Sequence, residues 1–324
     1  MEIKICKTSE WSSLELSTYV NSFNAVFDKG YDATYFTRKY FGTHKNDSYH
    51  SLLLNDFGEV VGGCSIMPML YIKTNQQINI GLAVDVFIKE EYRTDPLMLR
   101  RLYVKLKKFL ETEDVDVVIA VPNATSYPYW KNVVKWKDVG LIPYWIVPIN
   151  LGNLLKKYRF INRVTSLFFR FWIYLNYIFS CIINSKEKEY LYKPFLNEKF
   201  YKDRFDENYY SKIVIDNITA YYRVVKEDNV ITAYLINSQE KDKLTFKALT
   251  AAVKEILKKE KVDVVMYVGP LKLFQSLFFK VPRKFEPKKL TMTCDFIKEN
   301  RKVFFLDMLT YSNWNFGLIN YDVR

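Results

Sequence analysis

Residues 82–121 read LAVDVFIKEEYRTDPLMLRRLYVKLKKFLETEDVDVVIAV, and the apolar period changes twice along this stretch. Residues 82–88 form a nearly continuous apolar run interrupted by one carboxylate, Asp85, which is the pattern of a central strand buried on both faces. From Pro96 onward Leu99, Leu102, Leu106, Phe109 and Leu110 recur at steps of three and four with Lys and Arg between them, so an amphipathic helix is expected over 96–110. Asp95-Pro96 supplies its start signal, a capping carboxylate followed by a residue whose missing N–H costs nothing in a first helical turn. Residues 115–121 (VDVVIAV) return to a buried strand. Strand, helix and strand in that order make a βαβ unit, which places the chain in the α/β class.

Working outward, residues 58–69 (GEVVGGCSIMPM) follow the turn-forming Asn55-Asp56 and predict a hairpin bent around 55–59. A second signal lies far downstream. Residues 113–121 (EDVDVVIAV) match residues 260–268 (EKVDVVMYV), 147 positions later. At that offset Leu97, Leu99, Leu102, Leu106 and Phe109 fall on Leu244, Phe246, Leu249, Val253 and Ile256, which keeps the apolar face of the helix in register. The strand before it, 84–88, falls on the apolar run 231–235. One core pattern is thus expected twice, as a domain at 1–150 and a second at 196–324.

Residues 151–195 read as a connecting helical segment. Its centre, 164–183, is apolar enough to raise a membrane span, but Arg163, Ser166, Arg170, Tyr174, Tyr177, Ser180 and Asn184 mark a polar stripe along one side. That pattern admits a helix packed between domains, peripheral contact with a membrane face through 164–183, or a span that must bury Arg170 at a high cost. In the packed reading the Arg163, Arg170 and Tyr177 stripe is expected to be more exposed than Phe168, Trp172 and Phe179.

Composition removes several function classes. The 24 Phe and 25 Tyr are incompatible with a disordered chain. Cys6, Cys64, Cys181 and Cys294 lie far apart without paired spacing, so neither a disulfide framework nor a zinc ribbon is expected. His44 and His50 are the only histidines, too few for a histidine metal site or a triad, and no metal is expected. Residues 1–11 lack the apolar core of a signal peptide, which points to the cytoplasm, with a peripheral position at the inner face of the membrane as the variant that 164–183 allows. A formal net charge of +12 favours an anionic partner such as a phosphorylated cofactor, a nucleic acid or an acidic membrane.

Residues 84–136 resemble the core of the GNAT acetyltransferase superfamily. The motifs are VDVFIKEEYRTDPLMLRRL at 84–102, with Tyr92-Arg93 where the family commonly has an aromatic or His before Arg, and PNATSYPYWKNVVKW at 122–136. The family's phosphate-loop glycines are replaced by Thr94-Asp95-Pro96, and Lys135 stands where it usually has Gly. The resemblance covers 1–150 well and 210–324 weakly. It implies two tandem acyl-CoA N-acyltransferase-like domains, mixed sheets flanked by helices and joined by a helical segment, similar in architecture to the Fem-type aminoacyltransferases. It implies acetyl-CoA or another acyl-CoA as cofactor, held by Val86, Ile88, Arg93, Thr94, Arg100, Asn123 and Ser126. Asp85 would be the base, and Tyr127 or Tyr129 the proton donor to the departing thiolate. In the second copy residues 237–243 stand in place of the phosphate loop with neither the Arg nor a glycine, so this copy is expected to complete the architecture.

Three functions follow. The first is acyl transfer from coenzyme A to a small-molecule amine or hydroxyl, such as a sugar or cell-envelope precursor. The second is a Fem-like transferase using aminoacyl-tRNA, and the third a non-catalytic binding protein that keeps the fold. DNA is not an expected partner, and acceptor, acyl chain length and oligomeric state stay open.

Overall fold

The computed structural model describes residues 1–155, 158–183, 189–241, 243–271, 277–298 and 305–321. The chain forms two compact units, and chain order does not coincide with them: one comprises Met1–Leu141, Leu191–Arg204 and Leu290–Trp314, the other Ile142–Tyr190, Phe205–Lys289 and Asn315–Arg324.

In the first unit β1 (Glu2–Lys7) is followed by α1 (Ser13–Phe27) and α2 (Ala33–Phe41). Ser12 and Glu15 close a reciprocal capping box at the start of α1, and the Asp32 side chain caps α2. Next come β2 (Tyr49–Leu54), β3 (Val60–Lys73), β4 (Gln76–Ile88), α3 (Met98–Thr112), β5 (Val117–Ala120), the single turn α4 (Tyr127–Tyr129) and β6 (Lys137–Leu141). The hairpin turn closes where the sequence places it, with the Asn55 N–H donating to the Glu59 carbonyl. Helix α3 starts two residues beyond Pro96 because the Asp95 side chain accepts the Leu97 N–H. The charged segment 1–11 holds a strand that periodicity alone did not reveal: β1 is the sheet's edge, where alternating Lys and Glu are tolerated.

The chain then runs through β7 (Tyr144–Pro148), α5 (Leu151–Leu154), α6 (Asn162–Ile182), β8 (Tyr192–Pro194), α7 (Glu198–Arg204), β9 (Ser211–Ile215), β10 (Ile218–Glu227) and β11 (Val230–Glu240). It ends with α8 (Phe246–Lys259), β12 (Val264–Val268), β13 (Phe279–Lys280) and β14 (Thr291–Phe296). The first unit's sheet has the order β1-β2-β3-β4-β5-β14-β6, with β8 added to β3; the second unit's has the order β13-β7-β12-β11-β10-β9. Strands β7 and β14 each follow a strand of one sheet in sequence and complete the other. Both sheets are mixed, and in each the βαβ unit supplies the parallel pair: β4 with β5, and β11 with β12.

The shared Val-Asp-Val-Val has a structural cause. Asp116 donates its N–H to the Asn79 carbonyl at 2.8 Å and accepts the Asn79 N–H on its carboxylate at 3.3 Å. Asp263 does the same with Ile231, at 2.8 Å in both directions. Each Asp carbonyl also accepts from the strand that arrives from elsewhere in the chain, through Ile297 in one unit and Ile149 in the other. A buried carboxylate that must be hydrogen-bonded thereby clamps the start of each parallel pair.

This clamp corrects the register of the self-match. The offset of 147 holds for the helix and the second strand, but Ile231 corresponds to Asn79 and not to Val84. Strand β11 therefore extends through Glu240, and Asn237 to Glu240, expected as a loop, are strand; Asp242 of that stretch lies outside the described residues. The connection to α8 is shorter than the one between β4 and α3, so a single offset could not serve both.

Helices α1 and α2 bury Tyr19, Phe23, Phe36 and Tyr40 on one face of the first sheet, and α3 buries Leu106 and Leu110 on the other with Trp130 and Trp136. In the second unit α8 lies on the sheet and α6 packs on α8 through Phe169 and Ile173. Here the expectation holds only in part. Arg163 and Arg170 are exposed and Trp172 is half-buried, but Ser180 is buried and bonded to Thr250 at 2.8 Å, Tyr177 is half-buried, and Phe168 and Phe179 are exposed. Small polar side chains with internal partners let the two helices approach, which turns most of the apolar circumference outward. Asn184 of the stripe lies outside the described residues. Among the described residues no helix is long and apolar enough to cross a membrane. In the final segment Trp314 makes one bridge to Tyr192 and is buried in the first unit, while Phe316 stacks on Tyr321 in the second. Residues 322–324 lie outside the described residues.

Candidate active site

Strand β4 pairs with β5 only at Ile80, Gly81 and Leu82, opposite Val117, Val118 and Ile119. Beyond Leu82 it continues to Ile88 with no paired strand on that side among the described residues, and β5 ends at Ala120. Within the open stretch Asp85 and Val86 together face the single residue Cys64 of β3, a β-bulge with Asp85 at a left-handed φ of 50°. Bulges re-aim side chains, and Asp tolerates this backbone better than most residues.

Asp85 is aimed at α2. Lys39 Nζ lies 2.8 Å from Oδ1 and 2.6 Å from Oδ2, and the Tyr40 hydroxyl donates to Oδ2 at 2.6 Å. A buried chain continues from Tyr40. Because a hydroxyl has one proton, and that of Tyr40 is committed to Asp85, Tyr40 accepts from Tyr19 at 2.5 Å. Beyond Tyr19 the contacts run to Ser65 at 3.2 Å, from Ser65 to His50 Nδ1 at 2.9 Å, and from His50 Nε2 to Thr8 at 2.7 Å, whose hydroxyl also donates to the Ser48 carbonyl at 3.4 Å. Burial lowers the His50 pKa to about 3 and, with Asp85 adding to the effect, holds the Tyr19 and Tyr40 phenols well above their ordinary value. The chain is therefore neutral except at its Asp85–Lys39 end. Of these residues only Asp85 was singled out from sequence. The Phe36, Lys39, Tyr40 spacing marks one helix face, but nothing local tells that this face meets a strand more than forty residues on.

The start of α3 is already provided with acceptors. Asp95 takes the Leu97 N–H at 2.8 Å and pairs with Arg101 at 3.0 Å, and the Tyr129 hydroxyl takes the Arg100 N–H at 2.9 Å. Arg93 folds back to donate its Nε–H to the Ile88 carbonyl at 2.8 Å. Thr94 and Arg100 are exposed beside them, and Val86 and Ile88 are half-buried on the open strand.

After β5, the Asn123 side-chain oxygen accepts the Ser126 N–H at 2.8 Å and its carbonyl accepts from Tyr127, so Asn123 caps the turn that carries both tyrosines. The tyrosines differ. The Tyr127 hydroxyl donates to Asp138 at 3.0 Å and accepts from Lys131 at 3.1 Å in an exposed cluster, so its proton is committed. The Tyr129 hydroxyl only accepts, and its own proton has no acceptor among the described residues. Burial raises its pKa, which keeps it protonated at neutral pH. Lys135 closes this segment at a left-handed φ of 70°, the backbone state that explains why the resembled family has glycine there.

Solved structures share this fold. A protein of unknown function from Enterococcus faecalis V583, described as a probable N-acyltransferase, matches with a TM-score of 0.54 at 11% identity over 92% of this chain and 73% of its own. A GCN5-related N-acetyltransferase from Anabaena variabilis ATCC 29413 matches with a TM-score of 0.55 at 12% identity, over 91% of this chain and 73% of that one. One from Kribbella flavida matches with a TM-score of 0.54 at 10% identity, over 91% and 72%. No family model matches the sequence, and no curated protein matches it significantly. The fold is that of the GNAT acetyltransferases.

Proposed function

We propose that the chain is a GNAT-type acyltransferase whose first unit binds the pantetheine arm of an acyl thioester along the open edge of β4 and passes the acyl group to an amine. The observation that carries this reading is the early parting of β4 from β5, which leaves the edge of β4 from residue 83 to 87 without a paired strand among the described residues, beside a charged bulge and short of the Ile88 carbonyl that Arg93 takes. Unpaired strand N–H and C=O groups are what an extended amide-bearing arm needs.

Coenzyme A suits this site in one part only. The arm fits the strand edge at Val86 and Ile88. A pyrophosphate does not fit the start of α3, where a carboxylate and a phenol hold the N–H groups that a phosphate would take. No step is routed through the diphosphate for that reason. A thioester bound along β4 would supply an activated acyl carbon. Asp85 would take up the proton the acceptor amine loses, with Lys39 and Tyr40 fixing its orientation, and Tyr129 has a proton to give the departing sulfur.

Calorimetric titration with acetyl-CoA, acetyl-pantetheine and the nucleotide half of coenzyme A alone tests the reading. Acetyl-pantetheine is expected to bind nearly as well as acetyl-CoA, and the nucleotide half not at all. Absence of binding by both thioesters defeats the proposal.

The filled α3 start, together with the charge of +12, also favours a second reading, a transferase using aminoacyl-tRNA, whose ester needs no diphosphate cradle. Binding of tRNA that weakens steeply with salt, without thioester binding, selects it.

A further inference from the structure

Helix α6 turns its larger apolar face away from the protein that supports it. Phe169, Ile173 and Ser180 face the second unit's core, whereas Val164 (70% exposed), Leu167 (66%), Phe171 (60%) and Ile182 (76%) lie on the opposite side with Phe168 and Phe179. Phe160, just before the helix, is 80% exposed and extends the same surface. Scattered exposed apolar residues are ordinary, but a contiguous stripe of this kind running the length of a 21-residue helix is a contact surface.

Charge says what it contacts. From residue 139 to 186 the sequence has no Asp or Glu, and it carries Lys156, Lys157, Arg159, Arg163, Arg170 and Lys186. On a helix of 3.6 residues per turn the exposed Arg163 and Arg170 fall together at the border between the outward apolar stripe and the packed face. From there a long side chain can lie along apolar surface and lift its guanidinium to a phosphate. An apolar stripe with Arg163 and Arg170 at its border, on a segment without carboxylates, is complementary to acyl chains beneath anionic headgroups. It is poorly suited to a second copy of itself, which would bring like charges together.

We propose that α6 is an in-plane anchor that seats the second unit on an anionic lipid bilayer, with its apolar stripe at the acyl boundary and Arg163 and Arg170 at the headgroups. This holds whether or not the first unit transfers acyl groups. Polar side chains on the packed face, among them Ser180 on Thr250, let the helix keep its protein contacts while the opposite side enters lipid.

Flotation with phosphatidylglycerol–phosphatidylcholine vesicles tests this against pure phosphatidylcholine vesicles. The full chain is expected to float with the anionic vesicles and weakly with the neutral ones. Arg163→Glu with Arg170→Glu, both exposed, is expected to reduce anionic binding by roughly tenfold or more, and Phe168→Ser with Phe171→Ser to reduce binding to both. A polarity-sensitive dye on Cys181, the one exposed cysteine beside three buried ones, is expected to shift to the blue far more on anionic than on neutral vesicles. Unfolding temperatures of all variants exclude misfolding as the cause. Absence of flotation with anionic vesicles overturns the proposal, as does flotation that the correctly folded variants leave unchanged. A dimer in solution that Phe171→Asp dissociates, without vesicle binding, overturns it in favour of an interface between copies.

Discussion

The two units carry the same interruption at matching places and fill it differently. In the first, β4 bulges at Asp85 and Val86 shortly after leaving β5, and the carboxylate meets Lys39, Tyr40 and the buried chain to His50. In the second, β11 takes one extra residue, Ile236, shortly after leaving β12, and the clamp register puts Asn237 where the first unit has Asp85. The extra residue is repeated, but the left-handed backbone of Asp85 and its charge are not. A bulge beside a parting of strands belongs to the architecture, then, while the candidate chemistry depends on what the bulge presents.

The sharpest way to break this comparison is to exchange the two side chains. Asp85→Asn keeps size, one acceptor oxygen and tolerance of a left-handed backbone, and is expected to lower kcat by about 10²–10⁴-fold with thioester affinity unchanged. Asn237→Asp is expected to change kcat by less than about twofold. Equal losses, or none in either, would remove the assignment of the site to the first unit.

Acid sensitivity offers the next contrast, since both histidines belong to the first unit. His50 stays neutral in the folded chain down to about pH 3, whereas the unfolded chain takes up its proton near the ordinary value of 6.5. The unfolded state binds more protons throughout that window, so stability falls with pH by about 1.4 kcal/mol per unit between 6.5 and 3. Urea unfolding as a function of pH should show this slope, and His50→Gln should flatten it. An unchanged slope in the variant would place the acid-labile group elsewhere.

A smaller effect separates the tyrosines after β5. Tyr129→Phe removes the uncommitted phenol and is expected to lower kcat about tenfold, while Tyr127→Phe, which loses only exposed contacts, should stay within about twofold. The reverse ranking would transfer the donor role to Tyr127. Smallest is the backbone effect at Lys135: replacement by Gly removes a left-handed non-glycine residue and is expected to stabilise the chain by roughly 1 kcal/mol, read as a rise in Tm.

Much of the fold was legible because burial imposes a period. The βαβ unit at 82–121 and its repeat before Val268 were readable since a strand covered on both faces and a helix covered on one have different apolar spacings. Asp85 was legible as a lone carboxylate in an apolar run. Lys39, Tyr40 and His50 were not, because their spacing is local to α2 and β2 while their meaning comes from an approach across the sheet. Helix α6 was legible as amphipathic and Arg163 and Arg170 face outward as expected, but Ser180 and Tyr177 of the same stripe turn inward: a polar side chain with an internal partner looks the same in sequence as one facing water.

By itself the sequence determined the class of fold and the βαβ core with its repeat, since both rest on local propensity and apolar period. Only the tertiary structure decided which sheet receives β7 and β14, that Asp95 and Tyr129 take up the start of α3, and that Asp85 ends a buried chain of hydrogen bonds. Each of these is a pairing between groups distant in sequence. The sequence records which groups need partners, and the partner itself is set by the free energy of the whole packed chain.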